Sequence, residues 1–128
     1  MIIIGATSGI GEELARQAIQ NGYIVGGTGR RVHRLKELKG ELGESFYYSK
    51  MDVSQFDEAK TGLKSLIDEM GGMDIIVLNA GISNYPSSSI TAMEQKVIDV
   101  NVSGFVQLFG EAFQYFRKQG HGHIVGVS

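Results

Sequence analysis

Three glycines stand close together near the amino terminus, in Gly5-Ala6-Thr7-Ser8-Gly9-Ile10-Gly11. A short apolar run, Ile2–Ile4, precedes them. Behind them, apolar groups at Ile10, Leu14, Ala15, Ala18 and Ile19 mark one face of a helix. A glycine-rich turn between a first strand and a first helix suits one task above others, which is holding phosphate. Backbone N–H groups point outward at the helix start, and the helix dipole favours an anion there. Gly5 permits the sharp turn off the strand, Gly9 lets a pyrophosphate approach the backbone, and Gly11 lets the helix pack closely on the sheet. Thr7 and Ser8 add hydroxyl donors at the rim. The loop of nucleoside triphosphatases needs Gly-Lys-Ser/Thr, but Gly11 is followed by Glu12 and Glu13, with no lysine for a β- or γ-phosphate. Glycines alone would equally serve as plain turn formers, and it is their placement between strand and helix that favours binding.

A second group lies where the second strand should end, at Thr28-Gly29-Arg30-Arg31. Dinucleotide folds that hold the ribose 2′-hydroxyl of NAD place an acid about 20 residues beyond the glycine turn. Here that place has no carboxylate and two guanidinium groups. Arginine's fork of donors matches a 2′-phosphate, so the pattern favours NADP(H) over NAD(H). Arg30 comes first after the strand and is the better candidate, with Arg31 beside it. The competing reading makes both solvated residues that open the next helix.

These groups need a scaffold, and the rest of the chain supplies alternating short apolar runs and amphipathic stretches. Tyr23–Thr28 reads as a second strand, after Asn21-Gly22 stops the first helix. Val32, Leu35 and Leu38 mark a short second helix, and Ser45–Met51 a third strand. Ser54 is placed to cap a helix whose stripe is Phe56, Ala59, Leu63, Leu66, Ile67 and Met70, ended by Gly71-Gly72. Asp74–Leu78 has the continuous apolar character of a strand covered on both faces. Thr91-x-x-Glu94 is a capping box, and Val102, Phe105, Phe109, Ala112, Phe113 and Phe116 form the stripe of the helix that follows. His123–Val127 is the fifth strand. Strands alternating with helices predict a Rossmann-like, doubly wound α/β domain with a parallel sheet, one domain over residues 1–128.

Composition narrows the function. The chain has 128 residues, of which eighteen are glycine, about twice the usual share of ~7%. A net charge of −2 shows no basic excess for nucleic acid. The lack of cysteine suits a reducing compartment and excludes thiolate metal sites. No apolar stretch approaches the ~20 residues that span a bilayer, and Met1-Ile2-Ile3-Ile4 does not read as a signal peptide. The expectation is a cytoplasmic protein. His121-Gly-His123 is too sparse for a metal site, and the residues around Ser83 form no hydrolase elbow.

At Gly5–Gly11 the sequence resembles the short-chain dehydrogenase/reductase family, whose usual opening is Thr-Gly-x-x-x-Gly-x-Gly. Ile4 replaces the leading threonine. Further motifs follow in family order along the entire chain. Asp52-Val53 is similar to the pair that contacts adenine, Asn79-Ala80-Gly81 to the family's Asn-Ala-Gly, and Asn101-Val102 to its helical asparagine. Gly122–Ser128 is similar to the strand that leads into the catalytic serine. The resemblance implies reversible reduction of a carbonyl to an alcohol by hydride transfer from a nicotinamide. In that scheme Gly5, Thr7, Ser8, Gly9, Ile10 and Gly11 hold the pyrophosphate and Arg30 the 2′-phosphate. Asp52 and Val53 meet the adenine, and Asn79, Ala80 and Gly81 the ribose side. Asn101 is the one catalytic-tetrad member present.

The family's general acid/base is a tyrosine with a lysine four residues later, whose charge lowers the phenol's pKa from about 10. Position i+4 is Gly27 for Tyr23, Met51 for Tyr47, Asp52 for Tyr48, Ser89 for Tyr85 and Gln119 for Tyr115. The resemblance therefore implies that these residues are the amino-terminal, cofactor-binding part of a longer enzyme, inactive alone. Ser128 matches the residue before the catalytic serine. The helix at 102–118 is where a homo-oligomer would form, and the Ser83–Ser89 loop would border a small-molecule substrate. A non-catalytic dinucleotide module for redox sensing or assembly is the alternative. A methyltransferase would want an acid where Arg30 stands.

Overall fold

A computed structural model describes residues 1–81 and 90–128 of the chain, with the backbone alone for residues 90–93. The Ser83–Ser89 stretch and the Thr91 side chain of the expected capping box lie outside the described residues. Five parallel strands form one sheet in the order β3-β2-β1-β4-β5. These are β1 (Ile2–Ile4), β2 (Val25–Gly29), β3 (Phe46–Lys50), β4 (Ile75–Leu78) and β5 (His123–Gly126). Helices α1 (Gly9–Gln20), α2 (Val32–Leu42) and α3 (Phe56–Met70) connect the first four strands. Between β4 and β5 lie α4 (Ile90–Ile98), a π-helical segment (Asp99–Gly104) and α5 (Phe105–Gln119). The doubly wound, Rossmann-like reading of the sequence holds.

The alternation of side chains along each strand divides the core in two. Ile3 and Val77 point to one face, where they pack with Ala15 and Ala18 of α1, Leu38 of α2 and Phe46. Ile2, Ile4, Ile76 and Leu78 point to the other, against Ala59, Leu63 and Leu66 of α3 and Leu108, Ala112 and Phe116 of α5. A central strand covered on both sides favours a near-continuous apolar run, as Ile2–Ile4 provides. Because β1 is followed in sequence by its neighbour on one side and in space by β4 on the other, the carboxyl ends of β1 and β4 diverge. That is the place where such sheets open a crevice.

The structure corrects four expectations. β2 starts at Val25 rather than Tyr23, because the preceding residues close α1. Gly22 takes φ +84°, Gly22 N donates to Ile19 O and Tyr23 N to Ala18 O, and Tyr23 and Ile24 stay exposed. α1 begins at Gly9, one residue before Ile10, where its apolar stripe opens and the sequence places the start of the helix. Ser54 does not cap α3, since its hydroxyl donates to Asp52 instead (2.7 Å) and Gln55 takes the capping position without a side-chain bond. The aromatic stripe of α5 is also divided. Leu108, Ala112 and Phe116 are buried, whereas Val102, Phe109 and Phe113 are exposed on the opposite side.

Candidate functional site: a cleft at the switch between β1 and β4

The carboxyl ends of β1, β2, β3 and β4 surround a cleft of about 240 Å³. Gly5, Thr7 and Ser8 line it from the glycine turn, Arg30 and Arg31 from the end of β2, Asp52 and Val53 from the end of β3, and Asn79, Ala80 and Gly81 from the end of β4. Ten of the residues expected to hold a cofactor are thus brought to one wall. Gly9, Ile10, Gly11 and Asn101 do not line it.

The glycine turn is shaped from beneath. Gly5 has φ +89°, and a Cβ there would sit 2.9 Å from the backbone of Ala80. The N–H groups of Gly5 and Ala6 both donate to Thr28 O, at 3.1 and 2.7 Å, which ties the turn to β2. Asn79 Nδ2 donates to Gly5 O at 3.0 Å, so its side chain joins the end of β4 to the same turn. A Cβ on Gly11 would lie 2.0 Å from Gly5 O and 2.6 Å from Asn79 Nδ2. Gly11 therefore acts from inside, as the close helix–strand contact, and not from the cleft surface. Gly9 adopts φ +57° with open space around it, and Ile10 is exposed. Ser8 precedes α1 in extended conformation and its side chain makes no capping bond.

Thr7 is buried, its methyl group on Gly29, where a Cβ would approach to 2.5 Å. Arg31 Nη2 donates to the carbonyl and the hydroxyl of Thr7. The two adjacent arginines are therefore unlike: Arg31 is committed to the turn, and Arg30 makes no ion pair among the described residues. At the end of β3, burial would push the Asp52 carboxyl up. Hydrogen bonds from the Ser54 hydroxyl and N–H outweigh that, and with the charges of Arg30 and Lys96 they hold the group below its usual range. Val53 is buried, and its carbonyl lies 2.7 Å from where a Cβ of Gly104 would be. That contact packs the π-helical segment against the site.

Asn101 lies on that π-helical segment, with its Oδ1 3.4 Å from the Cβ position of Gly81. It adjoins the β4 end but stands outside the cleft wall. Wider helical turns of this kind are frequent at functional positions. Thr28, Gly29, Met51 and Val100, which belong to none of the expected site residues, also line the cleft. The sequence signal for the first three is adjacency, since Thr28-Gly29 and Met51 immediately precede Arg30 and Asp52. Among the described residues, no three His, Cys, Asp or Glu side chains are grouped to hold a metal ion. No helix among them is long and apolar enough to cross a membrane.

The family profile described as short chain dehydrogenase matches residues 1–128. The chain belongs to the short-chain dehydrogenase family. The NADP-dependent 3-hydroxy acid dehydrogenase YdfG of Escherichia coli K12 is 35% identical over 130 residues, covering 99% of this chain and 52% of that protein. The crystal structure of serine dehydrogenase from Escherichia coli superposes with a TM-score of 0.88 at 37% identity, over 98% of this chain and 61% of that one. The closed form of serine dehydrogenase complexed with NADP+ gives 0.83 at 33% identity, over 98% and 53%. The chain spans about half the length of the curated relatives it matches. Among those short-chain dehydrogenases, both the named cofactor of the first and the bound cofactor of the last are phosphorylated dinucleotides.

Proposed function

We propose that this chain binds NADP(H) and forms the cofactor-binding part of an oxidoreductase that interconverts a small carbonyl compound and its alcohol. The observation that carries the proposal is Arg30, a guanidinium without an ion pair among the described residues, at the end of β2 where an NAD enzyme would carry an acid. The residues present fit the cofactor. Gly5 and Gly11 let the turn lie close on the end of β4 and on α1, where a Cβ at either position would run into Ala80 or Gly5 backbone. The Thr28 hydroxyl on the cleft wall is wholly buried and without a hydrogen-bond partner among the described residues. When bound, the nicotinamide supplies the hydride.

The protein's own residues bind and orient. The glycine turn with Thr7, Ser8, Gly9 and Ile10 offers N–H and hydroxyl donors to the pyrophosphate. Arg30 faces the 2′-phosphate, Asp52 and Val53 the adenine, and Asn79, Ala80 and Gly81 the ribose on the nicotinamide side. Asn101 is assigned to the catalytic end by its family position. The exposed face of α5 is proposed to pair with a second copy, and a cytoplasmic setting belongs to the same reading. Titration with NADPH and NADH tests the central claim. NADPH should bind at least about tenfold more tightly, as a charge-assisted pair of ~1.5–3 kcal/mol requires, and Arg30→Ala should remove that advantage. Equal affinities in the unaltered protein would refute it.

A further inference from the structure

Glu12 makes none of the proposed contacts to the cofactor, yet it accepts more hydrogen bonds than any other carboxylate among the described residues. It is buried in the first turn of α1, directly after Gly11. Arg16 Nη2 donates to its Oε1 at 2.7 Å, and Arg34 Nη2 lies 3.0 Å from both of its oxygens. Arg34 belongs to the first turn of α2, where it also pairs with Glu37 at 2.6 Å. Arg16 reaches across to Glu41 of α2 at 2.7 Å. A carboxylate buried beside a phosphate-binding turn would be costly and would repel an anion. Two guanidiniums cancel both effects here, and in doing so they fasten the start of α1 to α2.

The same few residues carry Arg30. Arg34 N and Leu35 N donate to Arg31 O, at 3.1 and 3.2 Å, so the backbone after Arg30 is held by the first turn of α2. Arg31 is clasped to Thr7 at 3.0 Å. Arg16, Arg31 and Arg34 are therefore all engaged with protein groups, and Arg30 stands directly before the segment that Arg31 and Arg34 anchor. We infer that Glu12 is a positioning residue for coenzyme choice. By holding Arg34 it sets the start of α2 so that Arg30 stands at the ribose 2′-position, and it thereby governs the preference for the phosphorylated dinucleotide. This inference rests on the NADP(H) reading above.

The test compares dissociation constants of NADPH, NADH and 2′,5′-ADP for the unaltered protein, Glu12→Gln, Arg34→Gln and the double variant, with a thermal melt of each. The first two ligands differ only at the 2′-position, and the third carries the 2′-phosphate without a nicotinamide. Each single variant should weaken NADPH and 2′,5′-ADP about five- to tenfold and NADH less than about twofold, the scale of one misplaced charged contact. The double variant should be no worse than either single one, because both break the same link. Equal losses for NADPH and NADH would reduce Glu12 to a structural residue and overturn the inference. So would unchanged affinity, or a gain from Arg34 turning to the phosphate. If Glu12→Gln does not fold, Arg34→Gln and Arg34→Lys decide. Lysine keeps the charge but loses the fork, and should restore part of the selectivity. An unaltered protein with no preference for NADPH would remove the NADP(H) reading and this inference together. A clear preference that both variants weaken without selectivity would remove this inference alone.

Discussion

Arg31 donates from a single nitrogen, Nη2, to both the carbonyl and the hydroxyl of Thr7, at 3.0 and 3.2 Å. One guanidinium thus holds the middle of the glycine turn from the start of α2. Thr7 Oγ1 acts as acceptor in that bond and keeps its own proton for a ligand. The neighbouring Arg30, the one that the sequence favours for a 2′-phosphate, has no such commitment among the described residues.

Arg31→Ala and Arg30→Ala should accordingly behave differently. Loss of Arg31 should loosen the turn, lower the melting temperature and weaken NADPH and NADH by similar factors, about three- to tenfold for lost hydrogen bonds on the scale of ~1 kcal/mol. Loss of Arg30 should leave the melting temperature nearly unchanged and weaken NADPH alone. Calorimetric titration of both variants with both cofactors checks this. Selective loss of NADPH in Arg31→Ala would reverse the assignment.

The glycines of the turn make a second contrast. A Cβ on Gly9 meets nothing within 4 Å, and only its φ of +57° resists substitution. Gly9→Ala should cost roughly 1–2 kcal/mol, the penalty of a side chain in the left-handed region. A Cβ on Gly11 would lie 2.0 Å from Gly5 O, backbone that cannot swing aside. Gly11→Ala should therefore cost more, upwards of about 2–3 kcal/mol, as overpacking against fixed backbone does. Urea unfolding of the two variants measures the order. A milder effect at Gly11 than at Gly9 would contradict the close contact.

Much of this arrangement is legible in the residues. Ile2–Ile4, the glycine turn, Asn21-Gly22 and Gly71-Gly72 each combine apolar pattern with a stop that only one backbone conformation satisfies. Gly71 does take φ +79° at the end of α3. What escaped the reading was decided by competition for partners. Ser54 looks like a helix cap, but an aspartate two residues earlier captures its hydroxyl first. Tyr23 and Ile24 look like strand, but closing α1 uses the Tyr23 N–H and leaves both exposed. Phe109 and Phe113 look like core, but the face of α5 that meets the sheet is already filled by Leu108, Ala112 and Phe116. Glu12 gave no signal at all, because its role depends on Arg34, brought beside it only by the packing of α2 on α1.

The Asp52–Ser54 contact predicts a pH dependence. Asp52 ionises below its usual range in the folded chain, so its contribution to stability is fully present above the unfolded value of about 3.9 and fades as pH falls through the lowered one. Ser54→Ala should raise the Asp52 pKa, visible in a carboxyl NMR titration. It should cost about 1 kcal/mol or less near neutrality, on the scale of one partly exposed hydrogen bond. The stability gap between the two proteins should stay constant above about pH 5 and shrink below about pH 4, as protonation removes the charge in both. A gap that persists at pH 2 would mean that Ser54 acts by another route. Asp52 Oδ1 receives both Ser54 bonds, which leaves Oδ2 to face a ligand. Asp52→Asn should then weaken NADPH and NADH alike, since the adenine is common to both.

The outer face of α5 gives the last prediction. Phe105, Phe109 and Phe113 follow one another at helical spacing, with ring centroids 6.4 Å apart along the row. Val102 and Phe113 are both 54% exposed and Val106 is 60% exposed, which makes a continuous apolar strip on a helix whose other side is fully packed. Side chains left in water contribute little to the fold of one copy, so replacing them should cost the monomer little. If a second copy covers the strip, sedimentation equilibrium should show a dimer for the unaltered protein. Phe109→Ser with Phe113→Ser should shift it to monomer. The melting temperature of the unaltered protein should rise with protein concentration, as mass action requires when only folded chains associate, and that of the double variant should not. A protein that stays monomeric at high concentration would leave the strip without this role, and a double variant that unfolds would show that the phenylalanines serve the core after all.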